Sequence, residues 1–138
     1  MKLKKGFTAG TFDLCHVGHL MMFKECREQC DYLIVGLDTD PSVNRIDKNK
    51  PIETVAERYF RLKSCKWIDE VIVYWGEQEL YNLLETMDID IRFVGEDHKG
   101  KPFTGDNLPL NIIFNSRKHN YSSTNLRQRI LNENIRSN

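Results

Sequence analysis

Two histidines three residues apart, His16 and His19, are the first side chains here whose type and spacing could do chemistry. They lie in Gly10-Thr11-Phe12-Asp13-Leu14-Cys15-His16-Val17-Gly18-His19-Leu20. Phe7-Thr8-Ala9 before this stretch is a short run fit for a buried strand, and Met21 to Arg27 after it reads as helix. Residues three apart share one face of a helical turn. The first turn of a helix carries unpaired backbone N–H groups and the positive end of its dipole, so it attracts phosphate. Gly18, between the histidines, has no side chain and lets a ligand come close to the backbone. The stretch reads as a polyphosphate site with two imidazoles pointing into it. A zinc site would want Cys or carboxylate partners at ligand spacing, and only Cys15, adjacent to His16, is at hand. No metal-binding residue is assigned.

Two further clusters carry charge or hydroxyls. Arg45, Lys48 and Lys50 stand together with Asp47 as the one acid among them. They make either a solvated charge run or a mobile cationic lid over phosphates. Ser116-Arg117-Lys118-His119-Asn120-Tyr121-Ser122-Ser123-Thr124 puts an arginine ahead of three hydroxyls. Hydroxyls at a helix start are commonly caps. With an arginine beside them they are also a phosphate cradle.

Strands and helices must alternate to position these groups. Lys5 to Ala9 is the first expected strand and Val17 to Cys30 the first helix. Asp31 to Asp38 is a near-continuous apolar run of the kind a doubly covered parallel strand needs. Asp40-Pro41-Ser42 marks a turn, with Pro41 suited to open a short helical turn. Arg45 to Lys50 is loop; Thr54 and Glu57 then form a capping-box pattern for a helix running to about Lys66. Trp67 to Tyr74 holds the third strand, Glu77 to Met87 a helix, and Asp90 to Gly95 the fourth strand. Glu96 to Pro109 is loop, Leu110 to Phe114 the last strand, and Ser122 or Ser123 caps a final helix to Leu131. This is an α/β pattern: a doubly wound parallel sheet of about five strands in a single domain, residues 1–138. Ligands of such sheets bind beyond the carboxyl ends of the strands.

Composition narrows the classes. At 138 residues the chain has room for one ordinary core. Lys+Arg and Asp+Glu are both 20, so no global basic field exists to hold nucleic acid. No run approaches the roughly 20 apolar residues of a membrane span, and no apolar segment follows the basic start as in a signal peptide. Cys15, Cys26, Cys30 and Cys65 form no Cys-x-x-Cys pair, as expected of reduced thiols in a cytoplasmic protein. Gly-x-Gly-x-x-Gly is missing after the first strand, which argues against a dinucleotide site.

The stretch from Gly10 to His19 resembles the Gly-Thr-Phe-Asp-x-x-His-x-Gly-His signature of the small cytidylyltransferases, closest among them to those acting on glycerol 3-phosphate. Its His-x-Gly-His core is shared with adenylyltransferases and class I aminoacyl-tRNA synthetases. Arg117, Ser122 and Thr124 match the family's Arg-Thr-x-Gly-Ile-Ser-Thr-Thr, and Ser123 keeps a hydroxyl where Thr is usual. Lys118, Asn120 and Tyr121 depart from it, although Asn120 can reach the left-handed conformation of the missing glycine. Gly95-Glu96-Asp97-His98 resembles a Gly-Asp-Asp-Trp segment, with Asp97 the matching acid, and Trp75 has a counterpart. Glu79 falls where the family has a substrate-holding lysine. Lys66-Trp67-Ile68-Asp69-Glu70-Val71 is similar to Arg-Tyr-Val-Asp-Glu-Val, which the family uses at a homodimer interface near the site.

The resemblance implies a Rossmann-like nucleotidyltransferase fold and transfer of CMP from CTP to a small phosphomonoester, with Mg²⁺ accompanying the CTP. It implies His16, His19, Arg117 and a loop lysine, Lys48, as catalytic residues. Gly10, Thr11, Phe12, His16, Gly18, His19, Asp97, Arg117, Ser122, Ser123 and Thr124 would hold the nucleotide, with cytosine selected from the stretch between Glu96 and Thr124. Asp13, Lys48 or Lys50, Arg58 and Lys66 would face the acceptor. The expected assembly is a homodimer anchored by Trp67. One rival is an adenylyltransferase using ATP on a sugar phosphate or flavin phosphate. Another is a non-catalytic nucleotide-binding module that kept the fold.

Overall fold

A computed structural model of the chain describes residues 2–43, 47–116 and 121–137, in which strands and helices alternate. β1 (Lys5–Gly10) leads to α1 (Val17–Glu28), β2 (Tyr32–Asp38) and a short 3-10 turn, Pro41–Val43. α2 (Val55–Lys63), β3 (Glu70–Tyr74), α3 (Gly76–Thr86) and β4 (Ile91–Gly95) follow. A second 3-10 turn, Glu96–His98, precedes β5 (Asn111–Asn115) and α4 (Ser123–Ser137).

The strands form one parallel sheet in the order β3-β2-β1-β4-β5. The chain winds outward from β1 to β3, then returns to the other side of β1. The carboxyl ends of β1 and β4 therefore border the crevice where such a sheet takes its ligands. β2, paired on both edges, shows why its sequence is apolar without alternation. Leu33, Val35 and Leu37 pack with α1 and α2 on one face, while Ile34 packs with Phe7, Tyr74 and the α3 residues Leu80 and Leu84 on the other. Gly36 is the gap in that run, because a Cβ there would lie 2.7 Å from the Phe7 ring. Phe23 is fully buried and fixes α1 to the sheet, a burial worth about 1.5–3 kcal/mol.

Helix ends follow local chemistry. The Thr54 hydroxyl accepts the Glu57 N–H at 3.1 Å and the Glu57 carboxylate accepts the Thr54 N–H at 3.0 Å, the expected capping box. α1 stops before Cys30 because the Gln29 N–H turns back to the Cys26 carbonyl at 3.0 Å, tightening the last turn. α2 ends at Lys63 for a similar reason, with the Ser64 N–H shared between the Phe60 and Arg61 carbonyls at 3.2 Å. α4 runs past Leu131 to Ser137, since nothing in that segment breaks a helix. Among the described residues, no helix is long and apolar enough to cross a membrane.

Candidate active site

The chain leaves β1 at Gly10 and reaches α1 through a turn held in an uncommon conformation. Phe12 and Leu14 both take φ of 51°, the left-handed region that side chains rarely adopt. This folds the Phe12 ring back over Gly10, where a Cβ would meet it at 3.0 Å. The buried ring then supports His19 edge-on, with centroids 5.5 Å apart, and packs on Phe23 at 5.1 Å. Gly10 and Phe12 thus shape the site, and Thr11 lies between them at the sheet's carboxyl edge.

The histidines cap α1. His16 is the N-cap, and its Nδ1 accepts the Gly18 N–H at 3.0 Å. His19 Nδ1 accepts the His16 N–H at 3.2 Å, so the two imidazoles form a reciprocal capping box. Their ring centroids are 4.0 Å apart and their planes 33° apart. An accepting Nδ1 leaves the proton of a neutral ring on Nε2. Both rings are therefore set as Nε2–H donors by the backbone they cap. Gly18 contributes the N–H that fixes His16. Burial pushes the thiol of Cys15, beside them, up to about 11, which disfavours its thiolate.

α4 delivers the second helix N-terminus to the same turn. Ser122 is its cap, its hydroxyl accepting the Asn125 N–H at 2.9 Å. The Ser123 hydroxyl donates to the Asp13 carbonyl at 3.2 Å, which seats α4 against the loop after β1. Thr124 is exposed in the same first turn. Asp97, exposed in the 3-10 turn after β4, lies at the same edge of the sheet as His16 and His19. Two helix N-termini and their positive dipole ends thus converge beside the carboxyl ends of β1 and β4, an arrangement suited to an oligophosphate. Lys48 and Lys50 are exposed in the segment before Thr54. Arg45, Arg117, Lys118, His119 and Asn120 lie outside the described residues.

Three residues expected to face the acceptor do other work. Asp13 is buried; its side chain accepts the N–H groups of Ile52 and Glu53 at 2.9 Å each and pairs with Arg127 at 2.7 Å. Burial raises its pKa, but the two N–H groups and the arginine together outweigh that and hold it below the ordinary carboxylate range. Arg58 is 2% exposed, and four of its donor contacts go to carbonyls: Thr11 and Asp38 from Nη1, Thr39 from Nη2, and Glu53 from Nε. It stitches the carboxyl ends of β1 and β2 to the start of α2, leaving no face for a substrate. Lys66 precedes β3 and so sits at the amino edge of the parallel sheet, opposite the histidines, with its ammonium 4.9 Å from the Trp67 ring. Within one chain it cannot reach this site. Trp67 itself is half-buried against the core that holds Phe12 and Leu62.

Nothing in the sequence pattern marked Glu53, Arg61 and Arg127. The Glu53 carboxylate accepts the Leu14 N–H at 2.6 Å and is gripped by Arg61 at 2.7 and 2.9 Å. Arg127 stands four residues after Ser123 on α4, and both touch Asp13; that spacing is the one signal available in the sequence. Among the described residues, no three His, Cys, Asp or Glu side chains gather as a metal site.

A family model described as cytidylyltransferase-like matches residues 7–129. The glycerol-3-phosphate cytidylyltransferase of Staphylococcus aureus is 34% identical over 131 residues, 93% of this chain and 96% of that protein. The bifunctional protein HldE of Caulobacter sp. strain K31 is 34% identical over 129 residues, 90% of this chain, which spans 26% of that protein. In structure, the lipopolysaccharide core biosynthesis protein of Thermoplasma volcanium superposes with a TM-score of 0.66 at 23% identity, over 88% of this chain and 100% of that one. The pantoate-beta-alanine ligase of Francisella tularensis gives 0.60 at 17% identity, over 91% and 65%. These two superpositions bear on the fold alone.

Proposed function

The chain belongs to the cytidylyltransferase-like family and is a nucleotidyltransferase; from that premise we propose that it transfers CMP from CTP to a small, glycerol-3-phosphate-like phosphomonoester. The observation that carries this reading is the pair of imidazoles, each set as an Nε2–H donor by capping α1, beside a second helix N-terminus. An acceptor phosphate has a second pKa of about 6, so near neutral pH it is a nucleophile without a general base. One of its oxygens attacks the α-phosphorus in line, the bond to the bridging oxygen breaks, and pyrophosphate leaves with the electron pair. The protein's part is positioning and relief of negative charge. His16 and His19 donate to phosphate oxygens as charge builds on them. Arg117 and Lys48 or Lys50 neutralise the triphosphate, and Ser122, Ser123 and Thr124 offer hydroxyls and N–H groups.

Mg²⁺ fits this site as an ion that arrives with the nucleotide. Of the acids at this edge, Asp13 and Glu53 are already committed to N–H groups and to Arg127 and Arg61, Asp38 is buried at the end of β2, and Asp97 stands in the exposed turn after β4. That is too small a set for a protein cage, and Mg²⁺ is usually held by phosphates and water with one or two carboxylates. When bound, the ion supplies further charge neutralisation.

The test is pyrophosphate release with CTP or ATP against glycerol phosphate, phosphocholine, phosphoethanolamine, and ribitol or heptose phosphates. CTP is expected to exceed ATP by a wide margin. ATP preferred with a sugar phosphate selects the second reading, to which the Caulobacter HldE protein lends support because it too is 34% identical over most of this chain. No release with any pair leaves a nucleotide-binding module.

A further inference from the structure

The turn that carries Phe12 and Leu14 at φ of 51° is gripped from both sides by groups that sit in other elements. From the α2 side, Glu53 accepts the Leu14 N–H at 2.6 Å, and its own carboxylate is held by the Arg61 guanidinium at 2.7 and 2.9 Å. From the α4 side, Arg127 holds the Asp13 carboxylate at 2.7 Å, and Ser123 bonds the Asp13 carbonyl. The two grips are interlocked, because Asp13 also accepts the N–H of Glu53 at 2.9 Å while Glu53 accepts from the residue after Asp13. The Glu53 and Asp13 side chains are 9% and 8% exposed, while their partners Arg61 and Arg127 reach in from the surface at 47% and 27%. Leu14 is two residues from the N-cap His16, whose backbone N–H and Nδ1 complete the imidazole capping box.

We infer that Glu53 and Arg127 are positioning residues for the His16–His19 donor pair. Each fixes one side of the strained turn, and together they make α2, α4 and the histidine turn a single unit. Neither needs to touch the nucleotide. The inference rests on the nucleotidyl-transfer reading for its kinetic consequence, but not for its geometry.

The experiment combines kinetics with histidine spectroscopy on Glu53→Ala, Arg127→Met, the double variant, and the conservative Glu53→Gln and Arg127→Lys. Misplacing a catalytic group by a fraction of its reach costs about 10- to 100-fold in rate. Each single truncation should lower kcat for pyrophosphate release by about tenfold or more, with KM for the nucleotide changed less than about threefold. Because both act on one turn, the double variant should lose less than the product of the singles. Glu53→Gln and Arg127→Lys, which retain an acceptor and a donor, should recover part of the rate; they also carry the test if a truncated variant does not fold. On the unliganded protein, long-range ¹H–¹⁵N spectra should show both wild-type rings with the proton on Nε2, and the truncations should shift or mix those signals. That second readout needs no substrate, so it stands even if the wild type releases no pyrophosphate. Wild-type kcat and unshifted histidine signals with only a lower Tm would overturn the inference, as would a raised KM at unchanged kcat.

Discussion

In the proposed mechanism His16 and His19 each serve helix and ligand with one ring. Nδ1 satisfies a backbone N–H of α1, which leaves Nε2–H for a phosphate oxygen. Replacing either by alanine removes a cap worth about 1 kcal/mol and a transition-state donor worth several. Turnover should fall by about 10²-fold or more for each, with nucleotide affinity much less changed, as measured by steady-state kinetics beside direct binding. Near wild-type turnover in either variant would remove the residue from the chemistry. Asp13, by contrast, is to be judged by stability. Its carboxyl is held below the ordinary range in the folded state, so the folded protein binds fewer protons than the unfolded chain over that window. Its contribution is present above the unfolded value of about 3.9 and is lost as pH falls through the lower folded value. Asp13→Asn should therefore depress Tm at pH 7 and converge on the wild type as pH drops below about 4. A Tm gap that stays constant with pH would show that the charge of Asp13 does no such work.

At the scale of elements, the sheet was legible because its strands are apolar without alternation and its helices announce themselves by caps. The Thr54–Glu57 box and the run from Asp31 to Asp38 needed no tertiary information. The candidate site was legible only where function sits on a local motif. Gly10 to His19 runs from the end of β1 through a short turn into the first residues of α1, so its parts are neighbours in sequence. Glu53 and Arg58 act across 39 and 47 residues of chain on main-chain atoms that carry no residue-type signal, and Arg127 reaches the Asp13 carboxylate across 114. A buried arginine bonded to carbonyls looks in sequence like any substrate-facing arginine, which is why Arg58 falls among the residues expected at the acceptor. The structure gives it a sharper expectation. Arg58→Lys keeps the charge but loses the planar fork that reaches carbonyls from β1, β2 and the start of α2. Orphaning two of these buried acceptors costs about 1–3 kcal/mol each, so urea unfolding should show a loss of at least about 2 kcal/mol. A loss under about 0.5 kcal/mol, the range of ordinary surface changes, would mean the carbonyls find other partners.

For the molecule as a whole, the neutral charge balance means that phosphate attraction is local, built from two helix ends and a few cations. If the nucleotide brings its own Mg²⁺, EDTA should abolish pyrophosphate release while leaving the thermal midpoint of the free protein unchanged; a lowered midpoint would point to a resident ion. The outer side of α2 offers a second candidate surface for assembly besides the Trp67 segment. Trp67 is half-buried against the core of its own chain, so Trp67→Glu would disturb folding as well as any contact there. The outer side of α2 instead leaves Phe60 76% exposed over an open hollow lined by Ala56, Glu57, Arg61 and Ser64. Exposed aromatic surface of that kind, next to a self-complementary pair of charges, is what a two-fold contact buries. Arg61 lines the hollow and also grips Glu53, so such a contact would press on the support of the histidine turn. The expectation is a homodimer at micromolar concentration, split by Phe60→Glu, with turnover per chain falling on dissociation while Tm changes little. Sedimentation velocity across a concentration series, run beside the pyrophosphate assay, decides it. A wild type that sediments as a monomer at tens of micromolar, or a monomeric Phe60→Glu variant with full turnover, would separate assembly from activity.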